Sequence, residues 1–105
     1  MLLYRRGSKF PDNLCPRPGL DGDGLSTFDS LERAVDPGEK AQVIDTGKLQ
    51  TLLAVPSQPP PGHVCLTSGD PQLLAEWAAT RGTGTVHRLT QEVLSAIVDT
   101  VRRPQ

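Results

Sequence analysis

The sequence predicts an α+β domain that contains a small, mostly antiparallel sheet and three short helices. Short β-branched or apolar segments alternate with turn residues along the chain, a pattern typical of strands. Two segments in the second half have apolar residues at helical spacing. The chain has 105 residues, of which 10 are Gly and 10 are Pro, so we expect a single domain, residues 1–105, with a large share of loops.

The first half of the chain is predicted to contain one helix and three strands. A strand in the segment LLYRR ends at Gly7, and the Pro- and Gly-rich residues 11–24 predict an irregular loop. A helix follows over about residues 28–35, because the apolar residues there have helical spacing and the Pro-Gly pair at 37–38 stops it. The segments KAQVIDT and LQTLLAVP then predict two further strands.

The second half is predicted to contain two strands and two helices. The strands are predicted in the segments HVCLTS and TGTVHRL. The first of these follows the stiff connector SQPPPG. Between them lies a predicted helix that is capped by Asp70, has Pro71 at its first position and ends at Gly82. A final helix begins at a Thr90 cap and continues through TQEVLSAIVDTVRR. The predicted element order is therefore β-α-β-β-β-α-β-α.

Charge and cysteine content exclude several classes of protein. The net charge is −1, and the basic residues gather near the two ends without forming a stripe, which permits RNA or phosphate binding at one face but does not require it. Cys15 and Cys65 do not form a zinc-ligand pattern with the two histidines, so we expect no metal site. No segment approaches the ~20 apolar residues of a membrane helix, and MLLYRRGSKF lacks a signal-peptide core, so we expect a soluble protein.

Hydroxyl and guanidinium groups in the first half are candidates for ligand binding. Ser26 and Thr27, in GLSTFDSLERA, precede the predicted first helix, where either hydroxyl can cap the helix for ~1 kcal/mol. Because a helix N-terminus attracts anions, the same hydroxyls can also form the floor of a cleft for phosphate or ribose. Arg5 and Arg6 are neighbours in a strand, so one of them faces the cleft side, where it can bind phosphate or carboxylate. The alternative is two solvated arginines.

His63 and His87 are candidates for general acid–base chemistry, because imidazole titrates near neutral pH. With Arg88 or Arg5 on the scissile phosphate, the two histidines suit metal-independent cleavage of RNA. Each histidine also suits a half-buried position in a strand. Glu92 is a candidate carboxylate, although a glutamate in the first turn of the last predicted helix also stabilises the helix dipole.

Taken in order, the segments LYRRGS, GLSTFDSLERA and KAQVIDTGKL resemble the first half of mono-ADP-ribosyltransferase-type toxin domains from bacterial polymorphic toxins. The resemblance implies that NAD is a substrate, that Arg5 or Arg6 anchors its phosphate or ribose, and that Ser26 and Thr27 shape the nicotinamide pocket. The chain has no Glu-x-Glu or Gln-x-Glu, so Glu92, in TQEV, is the nearest candidate for the catalytic carboxylate.

Three functions stay open from the sequence. The first is an NAD-dependent ADP-ribosyltransferase toxin that modifies a macromolecular target, either protein or RNA. The resemblance also implies a bacterial protein that is secreted or delivered into target cells and is bound by an immunity protein or antitoxin. The second is a small ribonuclease toxin that uses His63 and His87. The third is a non-catalytic interaction domain. A cleft formed by Arg5, Ser26 and a glutamate would favour the transferase, and a cleft that contains both histidines would favour the nuclease.

Overall fold

The computed structural model describes residues 1–19 and 23–105, which form one six-stranded sheet and three α-helices. The strands are β1 (Leu2–Arg6), β2 (Leu25–Phe28), β3 (Lys40–Asp45), β4 (Leu53–Pro56), β5 (His63–Thr67) and β6 (Ile97–Arg102). The helices are α1 (Leu31–Ala34), α2 (Pro71–Ala79) and α3 (Arg88–Ala96), and single 3-10 segments cover Pro11–Leu14 and Thr46–Lys48. Residues 20–22 of the loop predicted over 11–24 lie outside the described residues.

The strand order is β4-β5-β2-β1-β3-β6, and every neighbouring pair is antiparallel. The predicted α+β class, with an antiparallel sheet and three helices, is therefore confirmed. β1 lies inside the sheet and pairs with β3 along its whole length, from Leu2–Asp45 to Arg6–Ala41. Its pairing with β2 is much shorter and is centred on Tyr4 and Phe28. A side chain of β1, that of Arg5, completes the connection to β2 with a hydrogen bond to the Ser26 carbonyl.

The two faces of the sheet carry cores of different size. Since side chains alternate along a strand, Leu3 and Tyr4 in β1 point to opposite faces. Leu3 belongs to the larger core, in which the sheet packs against α2 and α3. The largest fully buried side chains of this core are Trp77, Leu3, Leu14, Leu25, Ile44, Leu66, Leu89 and Val93. Tyr4 belongs to a smaller cluster on the other face, where it packs with α1 and Phe28. The smaller face is the more open one, because Tyr4, Phe28 and Leu31 are only partly buried there.

The helix predicted at 70–82 is present as α2. The Asp70 carboxylate accepts hydrogen bonds from the backbone N–H groups of Gln72 and Leu73, at 3.0 and 3.3 Å, and Pro71 occupies the first position. Gly82 follows the helix with a φ of +76°, a conformation that glycine adopts at little cost. None of the helices in the described ranges is long and apolar enough to cross a bilayer.

The helix predicted over about residues 28–35 is shorter than expected and starts later. Residues 25–28 form β2, and α1 occupies only residues 31–34. Ser26 and Thr27 therefore do not cap a helix, and that prediction is wrong. The capping position of α1 is Ser30, whose side chain makes no capping hydrogen bond. Residues 25–28 are extended because they pair with β5 at four consecutive positions, a long-range contact that local spacing does not reveal.

The end of the chain also differs from the prediction. TGTVHRL forms no strand; its first residues are irregular, and its last two belong to α3, which begins at Arg88. The predicted final helix ends at Ala96, and residues 97–102 form the edge strand β6. The β-branched residues in IVDTVR favour an extended conformation, and pairing with β3 fixes it. Thr90 does not cap α3 but lies buried inside it, where its hydroxyl accepts from Trp77 Nε1 at 2.9 Å and donates to the Leu14 carbonyl at 3.0 Å.

Candidate active site

Ser26 and Thr27 are neighbours in β2 and point to opposite faces of the sheet. Thr27 is fully buried, and its hydroxyl donates a 2.7 Å hydrogen bond to the Val64 carbonyl in β5. Ser26 is only partly buried and lies on the more open face, together with Phe28. Of the two hydroxyls predicted to shape a ligand pocket, the structure thus places Ser26 at a cavity and Thr27 in the protein interior.

The Ser26 side chain is paired with an imidazole. Ser26 Oγ is hydrogen-bonded to Nε2 of His63, the first residue of β5. The other ring nitrogen of His63, Nδ1, lies 2.8 Å from the Ser57 carbonyl oxygen. The ring also packs edge-on against Phe28, with centroids 5.3 Å apart and an interplanar angle of 64°. The carbonyl and the aromatic ring together hold the orientation of the imidazole beside Ser26.

Arg5 bridges the short ladder between β1 and β2. Its Nη1 donates to the Ser26 carbonyl at 2.8 Å, and its Nε donates to the Asn13 carbonyl at 2.8 Å. The guanidinium therefore joins β1, β2 and the 3-10 segment that contains Asn13. Such charge-assisted hydrogen bonds are stronger than those between neutral groups. Arg5 thus fixes the backbone of the residue whose hydroxyl faces the cavity.

A cavity of about 320 Å³ lies beside these groups on the more open face, and we call it the arginine cavity. Its described lining consists of Tyr4, Arg5, Arg6, Ser26, Phe28, Arg33 and Ala34. Residues with guanidinium, aromatic and hydroxyl side chains thus line a single site. A site with this composition suits an anionic ligand that also has a flat or apolar part.

Acidic groups at the rim of the arginine cavity hold two of its arginines. Arg6 Nη2 lies 3.0 Å from Glu39 Oε1 and 3.4 Å from Asp36 Oδ2. Arg33 donates to the Pro61 carbonyl at 3.1 Å and lies 3.9 Å from the Asp29 carboxylate. These ion pairs are about half exposed, and exposed pairs contribute only about 0–1 kcal/mol. Both guanidinium groups can therefore turn towards a bound anion at small cost.

Glu92 is not among the described residues that line the arginine cavity. It lies on α3, where its carboxylate accepts from the Thr51 N–H at 3.0 Å and from the Leu52 N–H at 2.8 Å. Burial raises the pKa of Glu92, but hydrogen bonds from backbone N–H groups outweigh burial, and the net pKa lies below its ordinary value. Glu92 also borders a second cavity, of about 320 Å³, with Lys48 and Arg88. Its geometry is that of an anchor that fixes the segment preceding β4.

His87 is also separate from the arginine cavity. It occupies the N-cap position of α3, where Nδ1 accepts from the Leu89 N–H at 3.1 Å. Burial, assisted by the positive charge of Arg88, lowers the pKa of His87. Among the described contacts, none joins His87 to His63. The structure therefore does not bring the two histidines together as an acid–base pair.

The residues predicted from the sequence thus divide into two groups. Arg5, Arg6, Ser26 and His63 meet at or beside the arginine cavity, whereas Thr27, Glu92 and His87 do not line its described part. Sequence reasoning missed Arg33, for which the i,i+4 spacing from Asp29 is only a weak signal. It also missed the pairing of Ser26 with His63, because these residues are 37 positions apart and meet only through the β2–β5 register.

The arginine cavity is the best candidate for the functional site, and the described residues include no group of three or more side chains suited to hold a metal ion. The chain matches no protein-family profile, and neither a curated protein nor a solved structure matches it at a significant level. The chemistry of the site itself is therefore what indicates the function.

Proposed function

We propose that this chain is the catalytic domain of a mono-ADP-ribosyltransferase toxin, which binds NAD in the arginine cavity and transfers ADP-ribose to a macromolecular target. The observation that carries the proposal is the convergence of three arginines, two aromatic rings and Ser26 on one cavity. NAD matches each of these features, because it combines a pyrophosphate, a flat nicotinamide ring and ribose hydroxyls.

Charge is the first argument for a nucleotide ligand. Guanidinium groups bind phosphate oxygens in a bidentate manner, and Arg6 and Arg33 are both accessible from solvent. Their partners at the rim are exposed carboxylates, so a pyrophosphate can replace those carboxylates without leaving a buried charge unpaired. Arg5, by contrast, keeps the hydrogen bonds that it donates to the Asn13 and Ser26 carbonyls and so holds the backbone of Ser26 in place.

Size and shape are the second argument. Small-molecule sites typically have volumes of roughly 300–1,000 Å³, and the arginine cavity, at about 320 Å³, lies at the lower end of that range. It therefore suits the nicotinamide–ribose–phosphate half of NAD, with the adenosine half extending over the surface. The partly buried rings of Tyr4 and Phe28 provide an apolar contact for the nicotinamide.

The reaction would break the glycosidic bond between ribose C1′ and the nicotinamide nitrogen. Nicotinamide would leave with the bonding electron pair, and a nucleophile of the target would form the new bond to C1′. A toxin with this activity requires protection of the producing cell, so we also propose that an immunity protein or antitoxin binds over the cavity.

Titration calorimetry with NAD tests the proposal on the purified chain. Arg33→Gln removes a guanidinium from the cavity, whereas Arg88→Gln removes one from an exposed position on α3 beside the second cavity. We expect saturable binding that Arg33→Gln weakens about 10-fold, the equivalent of ~1.4 kcal/mol, and that Arg88→Gln leaves unchanged. Arg33 is preferable to Arg5 as the test residue, because loss of Arg5 would also release β2 and Asn13.

A transfer assay with labelled NAD and a cell lysate then tests the chemistry. Absence of NAD binding by the unsubstituted chain would refute the proposal, as would an equal loss of affinity in the two arginine variants. Cleavage of RNA by a chain that does not bind NAD would favour the ribonuclease instead.

A further inference from the structure

The hydrogen bonds of His63 determine which of its nitrogens carries the proton. The Ser57 carbonyl can only accept a hydrogen bond, so Nδ1, which lies 2.8 Å away, must donate. In the neutral imidazole this leaves Nε2 unprotonated, with its lone pair directed at Ser26 Oγ. The Ser26 hydroxyl therefore donates to the imidazole. A hydroxyl, a basic nitrogen and a group that orients the base are the parts of an activated hydroxyl in nucleophilic and general-base catalysis.

We propose that Ser26 and His63 form a proton relay that deprotonates the acceptor, and that the acceptor is a neutral hydroxyl group; this inference rests on the proposed transferase function. As the acceptor oxygen bonds to ribose C1′, its proton passes to Ser26 Oγ, and the Ser26 proton passes to His63 Nε2. The bond from C1′ to the nicotinamide nitrogen breaks, and nicotinamide leaves as a neutral molecule. The imidazolium then returns its extra proton to solvent, which restores the relay.

The lining of the arginine cavity explains why a relay is needed. Its described lining includes no carboxylate, and Glu92 is held by backbone N–H groups of residues 51 and 52. The carboxylates at the rim are Asp29, Asp36 and Glu39, and no described hydrogen bond joins any of them to a hydroxyl of the cavity. The imidazole of His63 is thus the base that the structure joins directly to a cavity hydroxyl.

The charge of the cavity selects the acceptor. An arginine or lysine acceptor would bring a further cation towards the guanidinium groups of Arg6 and Arg33, which is electrostatically unfavourable. A carboxylate acceptor would need no base at all. A neutral hydroxyl needs a base and meets no repulsion, and water is the simplest member of this class. In the relay Ser26 is the catalytic residue, because its hydroxyl contacts the acceptor, and His63 is a positioning residue that acts through Ser26.

Steady-state hydrolysis of NAD, with water as the acceptor, tests the relay in the full chain. We expect Ser26→Ala and His63→Ala each to lower kcat about 100-fold with little change in KM, because general-base catalysis contributes roughly 10²–10⁴-fold to rate. Added imidazole should restore part of the activity of His63→Ala, since the deleted ring leaves space beside Ser26. His63→Gln fills that space with a group that is not basic, so it should be slow and should not respond to imidazole. Arg88→Gln is the unaffected control.

The possible results separate the relay from the proposed function. If the unsubstituted chain neither binds nor cleaves NAD, both are overturned. If it cleaves NAD and His63→Ala keeps the same kcat, the relay is overturned and the transferase stands. A fall in kcat that comes with a raised KM, a lowered melting temperature and no rescue by imidazole would show a purely structural role and would also overturn the relay. A further arm supplies agmatine or N-acetylserine amide as the acceptor, and modification of agmatine in preference to the serine derivative would overturn the assignment of a hydroxyl acceptor.

Discussion

Replacing Glu92 with Gln should destabilise the fold without altering the chemistry of the arginine cavity. The carboxylate accepts from the backbone N–H groups of Thr51 and Leu52 at 2.8–3.0 Å. Hydrogen bonds to charged groups are worth about 1.5–3 kcal/mol, whereas those between neutral groups are worth about 0.5–1.5 kcal/mol. Replacing the charged acceptor of these two N–H groups with a neutral one should therefore lower the free energy of unfolding by about 2 kcal/mol in total. With a urea m-value of roughly 2 kcal/mol/M, the unfolding midpoint should fall by about 1 M.

The destabilisation should depend on pH in a direction that the pKa of Glu92 sets. Hydrogen bonds lower this pKa in the folded chain below the ordinary value of 4.5. The ionised carboxylate therefore contributes its full stabilisation at pH 7, and the contribution is lost as pH falls below about 4.5 and through the folded pKa. Urea unfolding of the two chains at pH 7 and at pH 3.5 measures the difference, and Glu76→Gln, at an exposed position on α2, is the matched control. Equal midpoints at pH 7 would refute the anchoring role, as would a gap that persists unchanged at pH 3.5. Loss of NAD turnover in folded Glu92→Gln would return Glu92 to the site.

Two further substitutions test the packing that supports the site. Thr90→Val removes the hydroxyl that pairs with the buried Trp77 N–H and the Leu14 carbonyl, so we expect the free energy of unfolding in urea to fall by about 2–4 kcal/mol. Thr90→Ser keeps the hydroxyl and should recover most of this loss. An unchanged unfolding midpoint for Thr90→Val would contradict the buried network. Gly24 precedes β2 with a φ of +127°, and a Cβ there would lie 2.2 Å from a backbone carbonyl oxygen of β5. Gly24→Ala should therefore cost about 3 kcal/mol. Gly19→Ala, with no atom of the described residues within 4 Å of the added Cβ, should cost about 1 kcal/mol. Equal unfolding midpoints for the two variants would refute the close approach of β2 to β5.

The sequence predicted those elements whose signals are local. The helix α2 has the cap and the first-position proline that the sequence predicted, although it ends at Ala79, three residues before the predicted terminal glycine Gly82. The strands β2 and β6 depend instead on partners far along the chain. GLST has the small hydroxyl residues of a helix start, yet pairing with β5 makes it extended. The apolar spacing in residues 97–102 suits a helix as well as a strand, and pairing with β3 decides between them.

The same distinction between local and long-range signals applies to the site. Arg5 and Arg6 were identifiable as candidate site residues because neighbouring side chains in a strand point to opposite faces, so one of the two must face a covered side. Ser26 and His63 were both candidates, but for different reactions. Their pairing depends on the register that places Phe28 opposite His63, and no local pattern in either segment carries that register.

The two catalytic hypotheses differ in how many proton-transfer groups they need, and this difference favours the transferase. A ribonuclease without a metal needs a base for the attacking hydroxyl and an acid for the alkoxide that leaves. In the described structure only His63 is joined to the arginine cavity, since His87 caps α3 with its Nδ1 and has a pKa lowered by burial and by Arg88. Glycosidic transfer from NAD needs the base alone, because the nicotinamide nitrogen is positively charged in the substrate and becomes neutral on leaving, without protonation. A cavity whose described lining includes three arginines, with one imidazole hydrogen-bonded to its serine, therefore fits NAD cleavage better than RNA cleavage.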